Sequence, residues 1–208
     1  ETTPGHVDSA RQLAELHFRG EKWAEAGALY RIVREKVDKA KDPKDFCQKS
    51  YRLGYISEKL GERDQALEYY RHAFEADATY LPALEGLGQA LLAVQRWDEA
   101  QKVFQTVLIH HRDALTESEV VDLQWQLGDL GLRQGQQERA YKQFDKALEI
   151  DPDHGPSLRA LATLDQQAGR YQQAFERLSR LADVVGSTER GDVLMEMSRI
   201  AGEQLHDS

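Results

Sequence analysis

The sequence contains few of the residues that cross-link a protein, bind metals or break helices. Of its 208 residues only Cys47 is a cysteine, which excludes an internal disulfide and a cysteine-based zinc site. Only five residues are proline, and asparagine is absent. No apolar run reaches the ~18 residues that a membrane-spanning helix needs. With 40% hydrophobic and 30% charged residues, the composition favours an ordered, helix-rich protein.

Positive charge is also scarce, because 27 lysines and arginines stand beside 36 acidic residues and leave a net charge of −9. This balance disfavours nucleic acid and anionic membranes as partners, although a local basic patch would override it. We therefore expect neither nucleic acid binding nor membrane insertion. No signal peptide is visible, and the first residue is Glu1 rather than methionine, which indicates a piece of a longer chain. The cytoplasm is slightly favoured, while a targeting signal in a preceding segment stays open.

One helical pattern recurs along the chain. The segments GERDQALEYYRHAFEAD (61–77) and GQQERAYKQFDKALEID (135–151) place glycine, alanine, an aromatic residue, alanine and acidic residues in the same order, with a 74-residue offset. The first alanine of this pattern serves as an anchor that recurs five times: Ala26, Ala66, Ala100, Ala140 and Ala174. The intervals between successive anchors alternate between 40 and 34. Such self-similarity is typical of stacked helical repeats.

Small and large residues accompany each anchor. Twelve positions before it lies a small residue: Ala14, Gly54, Gly88, Gly128 and Ala162. Four positions after it lies a bulky one: Tyr30, Tyr70, Phe104, Phe144 and Leu178. Antiparallel helices approach closely only where small side chains face each other, so we expect Gly128 to contact Ala140, and the bulky residues to pack against neighbouring repeats. Glycines between the paired helices are expected to adopt the left-handed conformation of a helix C-terminus: Gly20, Gly61, Gly135 and Gly169.

These positions resemble the tetratricopeptide repeat, a helix-turn-helix unit of about 34 residues, over essentially the whole chain. The resemblance implies an all-α, right-handed superhelix (an α-solenoid) of five repeats and a terminal helix, with eleven helices and no strand. The predicted single array over 1–208 has repeats at about 7–40, 47–80, 81–114, 121–154 and 155–188, and 189–206 is the first half of a sixth repeat. HEAT or armadillo arrays are an alternative, but their longer units fit the 34-residue spacings badly.

The longer spacings come from six extra residues after each odd repeat, around KDPKDF (41–46), DALTES (113–118) and GSTERG (186–191). We expect them to lengthen the second helix of odd repeats and the first helix of even ones, with Thr116 and Glu119 forming a capping box. A continued 74-residue spacing puts Gly202 at the small position of the last helix, facing the fifth repeat. That helix also carries a wide apolar set, which predicts self-association through it: Met195, Met197, Ile200 and Leu205.

Ligands of this family usually lie along a groove lined by the first helices of the repeats. Carried over to this chain, the groove positions supply these candidate partner-binding residues: Arg11, Tyr51, Tyr55, Gln89, Trp125, Arg133 and Arg159. The three aromatic residues lie where repeat packing does not need them, and exposed aromatics near cations are typical of binding hot spots. The arginines would pair with acidic groups of a protein or peptide ligand. The alternative is that Trp125 packs against a neighbouring helix.

The missing asparagine disfavours one function of the family. Members that bind chaperone tails grip a terminal carboxylate with lysine and asparagine side chains at fixed positions. The ninth repeat position, which belongs to that clamp, here holds other residues: Glu15, Tyr55, Gln89, Asp129 and Thr163. Two of these are acidic and would repel a carboxylate.

Nothing in the sequence indicates catalysis. There is no phosphate-binding loop, nucleophile elbow or dinucleotide fingerprint. His110 and His111 point about 100° apart on a helix and cannot chelate one metal ion together. We therefore predict no enzymatic activity, no cofactor and no metal, and a binding module that acts as a scaffold or adaptor. The alternative is a structural spacer within a larger protein whose activity lies in other domains.

Overall fold

The chain is helical throughout the range that the computed structural model describes, residues 4–203, with side chains described from residue 7 to residue 202. This range contains eleven α-helices, one 3-10 helix at Arg112–Ala114 and no strand, which confirms the predicted all-α fold. The α-helices are α1 (Pro4–Arg19), α2 (Trp23–Glu35), α3 (Pro43–Lys59), α4 (Arg63–Ala76), α5 (Leu81–Ala93), α6 (Trp97–His110), α7 (Glu117–Arg133), α8 (Gln137–Ile150), α9 (Gly155–Gln167), α10 (Tyr171–Val184) and α11 (Ser187–Glu203).

Two compact units divide the chain, the first over Glu1–His110 and the second over His111–Ser208. In the first unit α1 packs with α2, α3 with α4 and α5 with α6, and α4 also packs against α5. In the second unit α7 packs with α8, α9 with α10, and α11 against α10. Each unit is a stack of helical hairpins. Stacking buries the apolar face that a single hairpin would leave in water.

The period of the sequence is also the period of the structure. Helices α3 to α6 have the same bounds as α7 to α10 when 74 is added to each residue number. The anchor alanines of the repeats are all buried, with at most 2% of their surface exposed. Because every anchor occupies the same place in a core, the repeat register read from the sequence is correct for α1 to α10.

In the second, third and fourth repeats, the small residue of the first helix lies against an aromatic ring of the second helix and not against the anchor alanine. A Cβ built on Gly128 would lie under 3.0 Å from the ring of Phe144, whereas one on Gly131 would lie 3.2 Å from the Cβ of Ala140. The predicted contact between Gly128 and Ala140 is therefore wrong, because the ring needs the bare backbone and the alanine faces a glycine almost one turn later. Equivalent glycines also accommodate the ring of their own repeat: Gly54 with Tyr70, and Gly88 with Phe104.

The bulky residues also reach the next repeat, as predicted. A Cβ on Gly86, in α5, would overlap the ring of Tyr70 in α4. Phe144 of α8 shares a buried cluster with Leu161 and Leu164 of α9. One ring therefore fills the space within its hairpin and the space between hairpins.

The turns between paired helices keep a left-handed residue whether or not it is glycine. Three of the predicted glycines have a positive φ: Gly61 (77°), Gly135 (71°) and Gly169 (72°). In the first repeat the left-handed residue is Glu21 (φ 55°) instead of Gly20, and in the third it is Gln95 (φ 59°). A left-handed non-glycine residue costs about 1–2 kcal/mol. Packing of the hairpins must outweigh that cost, since the turn geometry is retained.

The extra residues lengthen only the first helices of the even repeats. Helices α3, α7 and α11 have 17 residues each, and α5 and α9 have 13. Helices α2, α6 and α10 have 13 or 14 residues, no more than α4 and α8, so the predicted lengthening of second helices is wrong. Asp42 caps α3, and Thr116 caps α7 in the predicted capping box with Glu119. Residues after these caps therefore join the following helix.

The last helix departs from the 74-residue spacing. Helix α11 packs on the fifth repeat through Val193 and Ile200. In the fourth repeat the corresponding buried residues are Val120 and Leu127, and the offset between the two pairs is one residue shorter than the 74-residue spacing. Gly202 is exposed, with nothing described within 4 Å of its Cβ position, so its predicted place against the fifth repeat is wrong. The connection from α10 to α11 has two residues, against six from α6 to α7. The end of the predicted helix, 204–206 with Leu205, lies outside the described residues.

Candidate functional site

The predicted partner-binding residues are divided between the two units. The first unit holds Arg11, Tyr51, Tyr55 and Gln89. The second unit holds Trp125, Arg133 and Arg159. Each unit therefore presents its own candidate surface.

Tyr55 is half-buried in an aromatic cluster of the first unit. Its ring centroid lies 5.6 Å from that of Phe18 and 5.8 Å from that of Trp23. Two cations cover the cluster: the Arg52 guanidinium is 4.1 Å from the Phe18 ring centroid, and Lys59 Nζ is 5.0 Å from that of Tyr55. The expectation that packing does not need Tyr55 is wrong, because α1 and α2 supply rings that pack against it. Its remaining accessible surface lies among cations.

Tyr51 is also half-buried, with its ring centroid 6.0 Å from that of Tyr70 and 5.5 Å from that of Tyr80. It packs beside the cluster of Cys47, Ala73 and Ala83. Tyr51 therefore helps to join the second and third repeats. Like Tyr55, it presents part of its side chain to solvent and uses the rest for packing.

Asp45 of α3 brings two cations together at the first repeat. Arg11 Nη2 lies 3.0 Å from Asp45 Oδ2, and Lys49 Nζ lies 2.9 Å from Asp45 Oδ1. The Lys49 side chain is only 12% exposed, whereas Arg11 is 46% exposed. Arg11 is thus positioned by α3 but accessible from solvent.

Glu15 of α1 forms the second charged centre of this surface. The Tyr30 hydroxyl donates a hydrogen bond of 2.7 Å to Glu15 Oε2, and Arg19 Nε lies 3.1 Å from Glu15 Oε1. The bond from Tyr30 lowers the pKa of Glu15, an effect that burial opposes and that Arg19 and Arg52 reinforce. Burial, with help from Glu15, raises the pKa of Tyr30. Glu15 is therefore charged and Tyr30 neutral near neutral pH.

A cavity of about 480 Å³ opens among these side chains. It is lined by residues of α1, α2 and α3: Arg11, Gln12, Glu15, Leu16, Arg19, Tyr30 and Lys49. Three of these are cationic and one is a carboxylate. We call this cavity, with Asp45 and Arg52 beside it, the α1–α3 groove. Its surplus of cations suits a ligand with acidic groups.

In the second unit the predicted cations are paired within the chain. Arg159 Nη2 lies 3.1 Å from Glu189 Oε1, and Arg159 Nη1 lies 3.0 Å from Glu196 Oε2. Arg133 Nε lies 2.7 Å from Asp129 Oδ2. Acidic residues of α11 therefore hold Arg159 in the way that a ligand carboxylate would.

Trp125 is half-buried and belongs to the core between the fourth and fifth repeats. It packs beside the cluster formed by Ala140, Phe144, Leu161 and Leu164. The expectation that packing leaves it free is wrong, because the stacked hairpins cover part of its side chain. Gln89, in the first unit, is exposed on α5.

The sequence analysis missed a buried ionic cluster in the second unit. Asp165 of α9 is fully buried; Arg170 Nε lies 2.7 Å from its Oδ1, and Arg177 pairs with its other carboxylate oxygen. Arg177 Nη2 also donates a hydrogen bond of 2.8 Å to the Tyr141 hydroxyl. A usable signal existed, since the positions equivalent to Asp165 and Arg177 in the preceding pair of repeats are apolar. We call Asp165, Arg170, Arg177 and Tyr141 the Asp165 cluster.

The described residues give no evidence of a metal site or of a reactive thiol. No group of three or more histidine, cysteine, aspartate or glutamate side chains within it could hold a metal ion. Cys47 is buried, and burial raises its pKa to about 11, so the thiolate form is scarce at neutral pH. None of the described helices combines the length and apolar character that crossing a membrane would require.

Two family models match the chain, both described as tetratricopeptide repeat, one over residues 59–126 and the other over 121–154. Among curated proteins, the BBSome complex member BBS4 of Bos taurus is 29% identical over 57% of this chain and 22% of its own length. Superkiller protein 3 of Schizosaccharomyces pombe is 24% identical over 69% of this chain and 13% of its own. This chain thus spans between an eighth and a quarter of these relatives.

Solved structures of MamA share the fold. MamA of AMB-1 aligns with a TM-score of 0.70 at 19% identity, covering 88% of this chain and 93% of that one. MamA of Desulfovibrio magneticus RS-1 aligns with a TM-score of 0.66 at 16% identity, covering 86% and 94%. At such identities the likeness concerns the arrangement of helices alone.

Proposed function

We propose that this chain, which is a tetratricopeptide repeat protein, captures an acidic peptide segment of a protein partner in the α1–α3 groove of its first unit. Its repeats make it a protein-interaction scaffold in the general sense of the family, whose members are generally not enzymes. The more specific proposal names the binding site, which is the α1–α3 groove, and the ligand groups that it recognises, which are carboxylates. We propose no catalytic activity for this segment.

The surplus of cations at the α1–α3 groove carries the proposal. Arg11 and Arg19 have 46% and 75% of their side chains exposed, so both can exchange or share their carboxylate partners with a ligand. Charge-assisted hydrogen bonds between arginine and carboxylate are about twice as strong as neutral ones. The half-buried Phe18 and Tyr55 lie beside two further cations, Arg52 and Lys59, and offer apolar contact area.

The charge of each unit favours the first one for such a ligand. The first unit has 16 basic and 18 acidic residues, a net charge of −2, while the second has 11 and 18, a net charge of −7. The cations of both units contact carboxylates, but Arg159 is held by two of them, Glu189 and Glu196, whereas Arg11 and Arg19 contact one each. An acidic segment therefore meets less repulsion at the first unit.

A fluorescein-labelled dodecapeptide rich in glutamate, with two leucines, is a suitable probe for fluorescence anisotropy. We expect it to bind, and the Arg11→Ala, Arg19→Ala double variant to weaken binding at least tenfold. The matched control is the Arg133→Ala, Arg159→Ala double variant in the second unit, which should bind as the parent does. A lysine-for-glutamate version of the peptide should not bind. Equal binding by the first double variant, or by the lysine peptide, would contradict the proposal.

Two other roles are kept as alternatives. A structural spacer would need no accessible cations or aromatics in a groove, so failure of the acidic peptide to bind favours the spacer. Self-association through α11 is supported by Leu194 and Met195, which are 49% and 67% exposed, although Ile200 of the same helix is buried and Met197 is half-buried. Membership of BBS4 in a complex agrees with a subunit role, which all three proposals share.

A further inference from the structure

An apolar cleft lies between α4 and α6 in the first unit, above α5. Its volume is about 340 Å³. Leu84, Leu87 and Leu91 of α5 form its floor, and Phe74 of α4 and Val103 of α6 line its walls. An apolar cavity of about 150 Å³ is large enough to bind benzene. The cleft therefore has room for a leucine or phenylalanine side chain and part of a second one.

The cleft is separate from the α1–α3 groove and from the groove positions of α5. Its floor residues lie on one stripe of α5, whereas the groove positions Glu85 and Gln89 lie on another. At 3.6 residues per turn the two stripes are about 150° apart around the helix axis. A ligand in the cleft would consequently contact the second helices of the repeats, on the side of α5 that the groove does not use.

The equivalent place in the second unit has a different chemistry. The positions equivalent to Leu91 and Val103 hold Asp165 and Arg177. Arg177 extends from α10 to Asp165 of α9 and to Tyr141 of α8, so its long side chain occupies the space between these helices. Val103 is too short to span the equivalent distance. The space between α4 and α6 is therefore apolar, whereas Asp165 and Arg177 place an ion pair between the equivalent helices. The cavity of about 480 Å³ that remains between α8 and α10 is lined largely by polar residues, among them Gln137, Lys142 and Arg170.

Charges on the rim indicate what kind of segment fits. Arg71 Nη2 of α4 and Glu99 Oε2 of α6 are 3.0 Å apart and neutralise each other across the cleft. Glu75 is paired with Lys39 at 3.4 Å. Lys102 lines the cleft but has no carboxylate within ion-pair distance in the described part of the chain. An acidic side chain next to the inserted apolar one would meet this unused cation.

We infer that the cleft between α4 and α6 is a second docking site, which takes a large apolar side chain, with an acidic side chain one turn away, from an amphipathic helix of a protein partner. Two helices with an apolar floor between them form the type of groove in which such a helix inserts its apolar face. Above the buried leucine floor, the half-buried Phe74 and Val103 supply the apolar contact area, and Lys102 selects acidic over basic segments. The site is independent of the acidic-peptide groove proposed above.

A fluorescein-labelled, helix-stabilised tetradecapeptide tests this site by anisotropy. It carries leucines at positions i and i+4 and glutamates one turn from each. We expect Val103→Phe, which fills the cleft, to weaken binding at least tenfold, as should alanine in place of the leucines. Lys102→Glu should weaken binding of the glutamate peptide and restore binding of a lysine counterpart. Because Lys102 is exposed, this charge exchange reports on the site even if Val103→Phe perturbs folding.

Matched controls separate this site from the groove. Glu176, the residue equivalent to Lys102 in the second unit, should tolerate Glu176→Lys without effect on the peptide. The Arg11→Ala, Arg19→Ala variant should also bind it normally, so failure of one proposal does not imply failure of the other. Unchanged affinity in Val103→Phe and in Lys102→Glu would overturn the inference. So would sedimentation data showing that the chain dimerises and that Val103→Phe abolishes the dimer, since the occupant would then be a second copy.

Discussion

Helices α3–α6 and α7–α10 have identical bounds at a 74-residue offset, yet they fill equivalent places with opposite chemistry. Leu91 and Val103 in the first set are replaced by the ion pair of Asp165 and Arg177 in the second. In the first set the Tyr70 hydroxyl donates to Glu58 Oε2 at 2.9 Å, whereas the second has Phe144 at the equivalent position. The backbone arrangement is the same despite these exchanges, because both sets keep small residues and bulky residues at the same positions.

The comparison separates two tasks of the core. Small residues and the anchor alanine set how closely the helices approach, and both sets keep a glycine or alanine at the small position: Gly54 and Gly88 in the first, Gly128 and Ala162 in the second. The residues between second helices decide whether the gap is lined by apolar or by charged side chains, and this part differs. A buried ion pair is no more stabilising than well-packed apolar residues of similar volume. The Asp165 cluster is thus better understood as a polar filling of part of the gap than as a source of stability.

The largest effect is expected from breaking the Asp165 cluster on one side. Arg177→Val leaves the buried Asp165 with Arg170 alone, and removing one partner of a buried pair costs about 3 kcal/mol. Adding Asp165→Leu recreates the pair of the first unit and should recover most of that loss. Urea denaturation followed by circular dichroism measures both. A double variant no more stable than the single one would show that the two units do not use interchangeable solutions.

Overpacking the shared small position should have the next largest effect. Gly128→Leu places a side chain where the Phe144 ring lies, under 3.0 Å from the Cβ position, and should cost about 1–3 kcal/mol. Ala140→Leu should be comparably destabilising, because the backbone of Gly131 faces it. Gly191→Leu is the matched control, since nothing lies within 4 Å of a Cβ at that helical glycine. Thermal midpoints unaffected by the first two substitutions would mean that small residues do not set the approach of the helices.

The smallest effect is a pH dependence confined to one unit. His154, where the first set has Tyr80, lies with Nδ1 2.8 Å from Ser157 Oγ. Burial lowers the pKa of His154, and Asp122 and Asp151 partly oppose that shift. A lowered pKa means that the folded state prefers the neutral ring. The free energy of folding that depends on the neutral His154 ring is therefore fully present above the unfolded pKa of about 6.5. It is lost as the pH falls from there through the lower pKa of the folded state.

His154→Tyr installs the residue of the first set and should flatten this dependence. Thermal midpoints of the parent and the variant at pH 7.5 and pH 5 measure the difference. The parent should lose more stability than the variant on acidification. An equal loss in both would show that another group causes the acid sensitivity.

Much of the fold follows from the sequence, because the contacts that repeat are local and periodic. The anchor alanines predict the core register, and Thr116 with Glu119 predicts the start of α7. The partner of each small residue does not follow in the same way. Gly128 and Gly131 both face α8, and only the helix crossing decides that the ring takes the first and Ala140 the second.

The candidate sites depended more heavily on tertiary structure. The sequence indicated Arg11 and Tyr55 as groove residues, but Lys49 and Arg52 joined them only when α3 packed beside α1. The sequence indicated that Arg159 is available to a ligand. In the structure, Glu189 and Glu196 of α11 contact it, and the register of α11 differs by one residue from the 74-residue spacing. An interaction between distant elements depends on packing angles and connection lengths, which no local pattern encodes.

The sequence by itself determined the repeat type, its 74-residue period and the all-helical fold, since each follows from residue size at fixed helical spacing. Only the tertiary structure decided which gaps between helices are open. The same three-helix arrangement leaves an apolar cleft above Leu84, Leu87 and Leu91, but in the second unit it holds the ion pair of Asp165 and Arg177 with a largely polar cavity beside it. The physical reason is that the volume left over after packing depends on every side chain around a gap at once, whereas helix formation and stacking depend on a few positions in each repeat.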